Sequence, residues 1–259
     1  MLAVVLAAGR GKRLRPLTDA RSKAMLPVAG QPMVGRVLAM LQREGCDRFI
    51  VVGHPEDCAL REYVTRAPLG GRSQVALQTE RRGMADALAC AAPLILHSGA
   101  DDFVLAACDN LYPQGHVSAL IAQHRAEDLD ATLTLMHVQP EQIPTLAVVA
   151  LEEGRVTRIV EKPRPEDAPS DIGVPALYVI ARHVLDLLPR VPVSERGELE
   201  FPDVLRLLLE GGGRVGGQLV AERWTLTRWP DLLMLNRHFL RQEPSCVEAR
   251  LPANTVVIP

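Results

Sequence analysis

No stretch of this chain is apolar for long enough to cross a bilayer as a helix, which takes about 20 consecutive residues. The first aliphatic run, Met1–Ala8, lacks a basic leader and meets Gly-Arg-Gly at once, so it does not read as a signal peptide. A basic excess is missing too. Lys and Arg number 29 against 31 Asp and Glu, the net charge is −2 and the pI is near 6.4. That excludes a nucleic-acid-sized basic surface and leaves any phosphate binding to a local site. Cysteine is sparse: Cys46, Cys58, Cys90, Cys108 and Cys246 are far apart, odd in number and form no C-x-x-C pair. A zinc site or disulfide framework is therefore not expected, and a reducing compartment fits. Low-complexity segments are absent, and the first 240 residues carry no internal repeat. What remains is 259 residues, 47% of them hydrophobic, ample for a buried core. The expectation is a soluble, cytoplasmic α/β protein with neither nucleic acid nor membrane as partner.

Leu2–Ala7 is a continuous aliphatic run ending in Gly-x-Gly, as a fully buried parallel strand would be. Pro32–Glu44 has helical spacing, with Met33, Val37, Met40 and Leu41 on one side, and leads through Gly45 into a second aliphatic run, Phe49–Val52. A strand at Val75–Gln78, a helix at Met84–Leu96, a strand at Phe103–Ala107, a helix at Gly115–Arg125 and a strand at Ala131–Val138 follow. This alternation predicts a doubly wound, mostly parallel sheet. After about Gln139 the rhythm changes. Leu146–Leu151 and Arg155–Glu161 bracket Glu-Glu-Gly as a hairpin, Arg164–Pro169 reads as a loop, and Ala176–Ile180 as a strand. Helices are expected over Val204–Glu210 and Asp231–Arg241.

The most informative stretch is Leu6-Ala7-Ala8-Gly9-Arg10-Gly11-Lys12-Arg13-Leu14-Arg15-Pro16-Leu17-Thr18. A buried strand ending in two spaced glycines lets backbone N–H groups approach an anion closely. Arg13 adds a planar fork of donors for phosphate oxygens, and Lys23 a compact charge suited to a phosphate that reacts. A tight turn with solvated basic residues would explain the two glycines alone equally well. The loop is not a P-loop, because no Gly-Lys-Ser/Thr follows at the right spacing, and it lacks the third glycine and ribose acid of a nicotinamide site.

That loop, with Ser22-Lys23-Ala24-Met25-Leu26-Pro27-Val28-Ala29-Gly30-Gln31-Pro32-Met33, resembles the sugar-1-phosphate nucleotidylyltransferases. The resemblance runs in matching order from Leu2 to roughly Asn236. It implies a Rossmann-like fold with a small antiparallel sugar-binding subregion, and a transferase domain over residues 1–240. It also implies that an NTP and a sugar 1-phosphate give a nucleotide sugar and pyrophosphate with Mg2+ as cofactor. Arg13 and Lys23 are the catalytic candidates, and Ala8, Gly9 and Gly11 would bind nucleotide. Gln78-Thr79-Glu80-Arg81-Arg82-Gly83 resembles the base-recognition segment. There a glutamine amide offers donor and acceptor to uracil or thymine, and Gly83 would let backbone touch the base edge. UTP or dTTP is therefore the expected nucleotide.

Asp109 closes the strand Phe103–Cys108, where ligands sit in open α/β sheets, and the resemblance makes it a magnesium carboxylate. A helix N-cap is the alternative there. Glu161-Lys162-Pro163 and Gly197-Glu198-Leu199-Glu200 resemble sugar-phosphate segments, making Glu161, Lys162 and Glu200 binding candidates. A surface ion pair closing the hairpin is the plain alternative for Glu161 and Lys162.

Four positions depart from the family's pattern. Lys12 replaces a Thr or Ser; Ala147 and Ala176 stand where glycines are common; and Leu226 occupies the place of a second metal carboxylate, with Asp231 or Glu222 as substitutes. These motivate a rival from another class, a degenerate nucleotide- or nucleotide-sugar-binding module without turnover. The tail 241–259 resembles the opening coil of a hexapeptide-repeat β-helix. One coil cannot bury its own face, so a truncated or vestigial β-helix used for subunit contact in a homo-oligomer is the expectation.

Overall fold

The structure, a computed structural model, describes residues 1–66 and 72–242. Strand β1 (Leu2–Leu6) is followed by a small hairpin, β2 (Pro27–Val28) and β3 (Gln31–Pro32), then α1 (Met33–Arg43) and β4 (Arg48–Gly53). Helix α2 (Cys58–Arg66), β5 (Ser73–Leu77), α3 (Met84–His97), β6 (Asp102–Ala107) and β7 (Asn110–Leu111) come next. The chain continues through α4 (His116–Ala126), β8 (Ala131–His137) and the hairpin β9 (Ala147–Glu152) and β10 (Arg155–Glu161). Strands β11 (Ile172–Val174) and β12 (Leu177–Ala181), helix α5 (Phe201–Glu210), β13 (Val215–Leu219), β14 (Trp224–Thr225) and α6 (Trp229–Gln242) complete it.

One ten-stranded sheet carries the molecule, in the order β11-β9-β10-β13-β8-β12-β6-β1-β4-β5. Strands β5, β4, β1 and β6 are parallel neighbours, as the alternating rhythm predicts. Strand β12 enters between β6 and β8 antiparallel to both, while β13 lies parallel to β8. The antiparallel hairpin β9–β10 joins this same sheet through β13, and β11 pairs with β9 and β8. The antiparallel subregion is thus the far edge of the main sheet.

The central strands β1, β4, β6 and β12 are covered on both faces, which is why they read as continuous apolar runs rather than alternating ones. In β1, Leu2 and Val4 enter one core and Ala3 and Val5 the other. Helices α3 and α5 close the first core; α1, α2, α4 and the buried Leu235 of α6 close the second. Helix α2 and strand β13 are not marked by the sequence patterns. In β13, Gly216 and Gly217 lie so close to Leu129 and Leu135 that a side chain there would collide with them. The helix expected from Val204 begins earlier, at Phe201, with Pro202 in its first turn where the missing N–H costs nothing. The β-helix expectation for the tail lies outside the described residues beyond Gln242.

Candidate active site

A cleft of about 1080 Å³ opens at the carboxyl ends of β1 and β6, and every candidate from the sequence lines it: Ala8, Gly9, Gly11, Arg13, Lys23, Gln78, Gly83, Asp109, Glu161, Lys162 and Glu200. Parallel β1 and β6 finish side by side, Leu6 opposite Ala107, so the loops leaving them meet across the opening.

At the first loop, Gly11 adopts φ 61°, ψ 32°, a left-handed conformation that glycine accepts without strain. An added Cβ there would stand 3.0 Å from both Lys23 and Thr18. The Thr18 hydroxyl donates to the Gly11 carbonyl at 3.0 Å, fixing the turn into a 3-10 segment, Lys12–Leu14. Leu14 is buried and anchors this segment, while Arg13 remains exposed without an ion-pair partner among the described residues. Gly9 differs from Gly11. A Cβ on it would meet nothing within 4 Å, so its place leaves room for a ligand rather than easing packing.

Lys23 forms an ion pair with Asp109, whose other oxygen accepts from the Asn110 amide at 3.0 Å. Asp109 leads straight into β7 and caps no helix, so the N-cap alternative is set aside. Its backbone carbonyl accepts from the N–H of Leu226 at 2.9 Å. Leu226 itself is fully buried in the core, confirming that this position beside Asp109 offers no carboxylate. Asp231 lines the cleft, but its Oδ2 accepts two N–H groups, from Thr227 and Arg228, both at 2.7 Å. It caps the start of α6. Among the described residues, no three His, Cys, Asp or Glu side chains form a group able to hold a metal ion. That donor set does not make an all-protein cage. It does fit Mg2+, which keeps several waters and takes one or two carboxylates plus substrate phosphates.

Gln78 follows β5 and is only 4% exposed. Its amide nitrogen donates to the Gly83 carbonyl at 3.1 Å and to Asp86 Oδ2 at 2.7 Å. Both of its N–H groups are therefore committed inside the protein, so the amide offers the cleft an acceptor only. The sequence expectation of donor and acceptor together is narrowed by this geometry. Gly83, at φ 107°, is also required by packing: a Cβ would lie 2.5 Å from the Leu199 carbonyl oxygen. The Leu199 N–H donates to Arg82 O at 2.6 Å, and the Ala85 N–H to Leu199 O at 3.0 Å. This lashes the Gln78–Gly83 segment to the segment that carries Glu200.

The opposite end of the cleft holds a linked set of charges. Glu161 Oε1 meets Lys162 Nζ at 2.8 Å and Arg196 Nη2 at 3.3 Å. Arg196 also grips Glu200 Oε1 at 2.8 Å, and Glu200 is 5% exposed. The hydrogen bond to Glu200 raises the Arg196 pKa further. Every described contact of these two carboxylates lands on Oε1, leaving each Oε2 for a hydroxyl. Lys162 has φ 45°, a left-handed strain of the kind that clusters at functional sites. Ala147 is paired across the hairpin with Glu161 and lines the cleft with Ala176. The Tyr178 hydroxyl faces the same space, its pKa pushed up by burial.

Sequence patterns did not single out Arg196, Arg81, Arg223 or Arg228, all of which line the cleft or bind its lining. Arg196 directly precedes the recognised Gly197-Glu198 stretch, which was its one available signal. Arg81 donates from Nε to the Ala8 carbonyl at 2.6 Å, and its pKa is lowered by burial and by neighbouring Arg10.

A low-salt glycan biosynthesis nucleotidyltransferase of Haloferax volcanii is 30% identical over 246 residues, covering 94% of this chain and 67% of that protein. A glucose-1-phosphate thymidylyltransferase of Streptomyces griseus is 30% identical over 249 residues, covering 95% of this chain and 68% of its own length. Some other relatives are spanned over only 59% of their length. Among solved structures, a UDP-glucose pyrophosphorylase complexed with UDP-glucose superposes with a TM-score of 0.83 at 20% identity, covering 93% of this chain and 99% of that one, and shares the fold. The nucleotidyl transferase family model matches residues 2–237, and the chain belongs to that family.

Proposed function

We propose that this chain transfers a nucleoside monophosphate from UTP or dTTP to a sugar 1-phosphate, releasing pyrophosphate. One observation carries the reading. A single cleft holds a cation-rich glycine loop with the Lys23–Asp109 pair at one end and the Glu161/Glu200 carboxylates at the other. The first end suits a triphosphate, and the second suits a ring of hydroxyls beside a phosphate held by Lys162. The thymidylyltransferase relative supports the same substrate class.

In this reading an oxygen of the sugar phosphate attacks the α-phosphorus in line and pyrophosphate departs on the far side. The protein does little covalent work; it positions two anions and stabilises the charge that develops. The backbone of Ala8, Gly9 and Gly11 receives the nucleotide, and Arg13 stabilises the departing phosphates. Lys23, released from Asp109, spans the reacting phosphates. Bound Mg2+ would neutralise charge on the phosphate oxygens, with Asp109 as its protein ligand. Glu161 and Glu200 accept hydroxyls through their free oxygens, and Lys162 holds the sugar phosphate.

A panel of NTPs against sugar 1-phosphates, with Mg2+ and detection of pyrophosphate, tests this. Release with UTP or dTTP and at least one sugar 1-phosphate is expected. Nucleotide binding without release across the whole panel would establish the rival, a module without turnover. The relatives give that rival no support.

A further inference from the structure

The orientation of Gln78 is set by a residue with no place in the transfer chemistry. Asp86, in the first turn of α3, is 6% exposed. Its Oδ2 takes one N–H of the Gln78 amide, while its Oδ1 accepts from Arg82 Nη2 at 2.9 Å and Nε at 3.2 Å. The second amide N–H goes to Gly83 O, and Gly83 is pressed against the Leu199 backbone and has no freedom to retreat. A flipped amide would aim its oxygen at a carboxylate and a carbonyl, two acceptors, and give up both hydrogen bonds that hold it. Only one orientation satisfies every group.

We infer that Asp86 is a positioning residue for base selection: by holding the Gln78 amide with its oxygen toward the cleft, it makes the reading edge an acceptor. Uracil and thymine present an imino N–H there. Cytosine and adenine present a bare ring nitrogen, which would face the Gln78 oxygen as a second acceptor. Discrimination then comes from repulsion of the wrong base as much as from attraction of the right one. Unanchored, the same amide would turn and accommodate either pattern. This inference rests on the proposed reading that Gln78 faces the base, but it concerns binding and not turnover.

The test therefore reads nucleotide affinity. Dissociation constants for UTP, dTTP and CTP, with Mg2+, are measured by calorimetry on the intact protein and on Asp86→Ala and Asp86→Asn, with pyrophosphate release followed separately. The wild type is expected to prefer UTP or dTTP over CTP by at least about tenfold. Asp86→Ala should collapse most of that ratio, chiefly by improving CTP. Asp86→Asn, which can offer Gln78 either an oxygen or an NH2, should fall between and serves as the isosteric control should the alanine variant not fold. A residue with a merely structural role would weaken all three nucleotides alike and leave the ratio unchanged. Such an unchanged ratio in folded variants overturns the inference, as does a wild type that binds UTP and CTP equally. A ratio that shifts as expected without pyrophosphate release would instead uphold Asp86 and overturn the transferase reading.

Discussion

The two ends of the cleft hold their charges differently: at one end Lys23 is paired with Asp109 but Arg13 beside it is not, while at the other every carboxylate named is paired. At the triphosphate end, Arg13 stands exposed without an ion-pair partner among the described residues, and the loop behind it is kept rigid by packing: Leu14 buried, Gly11 against Lys23 and Thr18. At the sugar end, the carboxylates are already bound to cations, Glu161 to Lys162 and Arg196, Glu200 to Arg196, each keeping one oxygen back. A triphosphate brings several negative charges and repays by itself the desolvation of an unpaired cation such as Arg13. A sugar ring brings only neutral hydroxyls, so its acceptors must be held in place before it arrives. On the proposed reading, the difference means that the first end would bind by charge and the second by pre-arranged geometry.

The strongest way to break this comparison is to remove the cations. Arg13→Ala and Lys23→Ala should each lower turnover by about 10²–10³-fold, the usual loss for one preorganised charge-stabilising donor. Pyrophosphate release measures the loss, and an unchanged melting temperature shows that it is not unfolding. Lys23→Ala should be the more severe, because on the proposed reading Lys23 spans the reacting phosphates while Arg13 meets only the departing ones. Near-normal release from both variants would remove the triphosphate end from the argument.

At the other end, Glu200→Gln keeps the shape but weakens the grip of Arg196. The KM for the sugar 1-phosphate should rise about tenfold or more, as expected when a charge-assisted hydrogen bond is lost, with the KM for the nucleotide little changed. Steady-state kinetics with each substrate varied in turn would show the split. Equal effects on both substrates would mean that the ends are not separable.

The ends are joined at Gly83, and the sequence motif points to the residue but not to its packing. Its place in Gln78-Thr79-Glu80-Arg81-Arg82-Gly83 suggests contact with a base, and the structure adds a packing reason, the Leu199 backbone against it. Gly83→Ala should therefore cost stability, by about 1–3 kcal/mol from the left-handed φ alone, and move the base and sugar segments apart. Denaturant unfolding measures the first effect, and a joint rise of both KM values the second.

Much of the rest was legible for one physical reason: buried strands and amphipathic helices carry period and composition. The sequence of β1, α1, β4, β5, α3, β6, α4 and β8 follows from aliphatic runs such as Leu2–Leu6 and Phe103–Ala107 alternating with helical spacing, with α2 and the two-residue strands left unmarked. Strand direction leaves no such trace. The run at Leu177–Ala181 is as apolar as any parallel strand, yet it lies antiparallel between β6 and β8. Strand β13 was hidden because its glycines answer to distant leucines, and Arg196 because its partners lie at the ends of other elements. The cleft residues of the glycine loop are contiguous and so readable. The commitments of Gln78 to Gly83 and Asp86 are contacts made only in space.

The smallest effect should come from Ala147, which sharpens the sugar end alone. It is buried and lies directly across the hairpin from Glu161, so its methyl borders the space where a ring hydroxyl would sit. Ala147→Gly removes that methyl at the cost of a glycine inside β9, about 0.5–1 kcal/mol of stability. One methyl in a pocket shifts preference between substrates by only about 1–3 kcal/mol, and a shallow cleft wall lies at the low end of that range. The variant should re-rank a panel of sugar 1-phosphates by a fewfold change in kcat/KM, favouring those with a bulkier or reoriented group. Its KM for the nucleotide should stay fixed. A nucleotide KM that moved with the sugar ranking would place the methyl's influence on the whole cleft and erase the division between its ends.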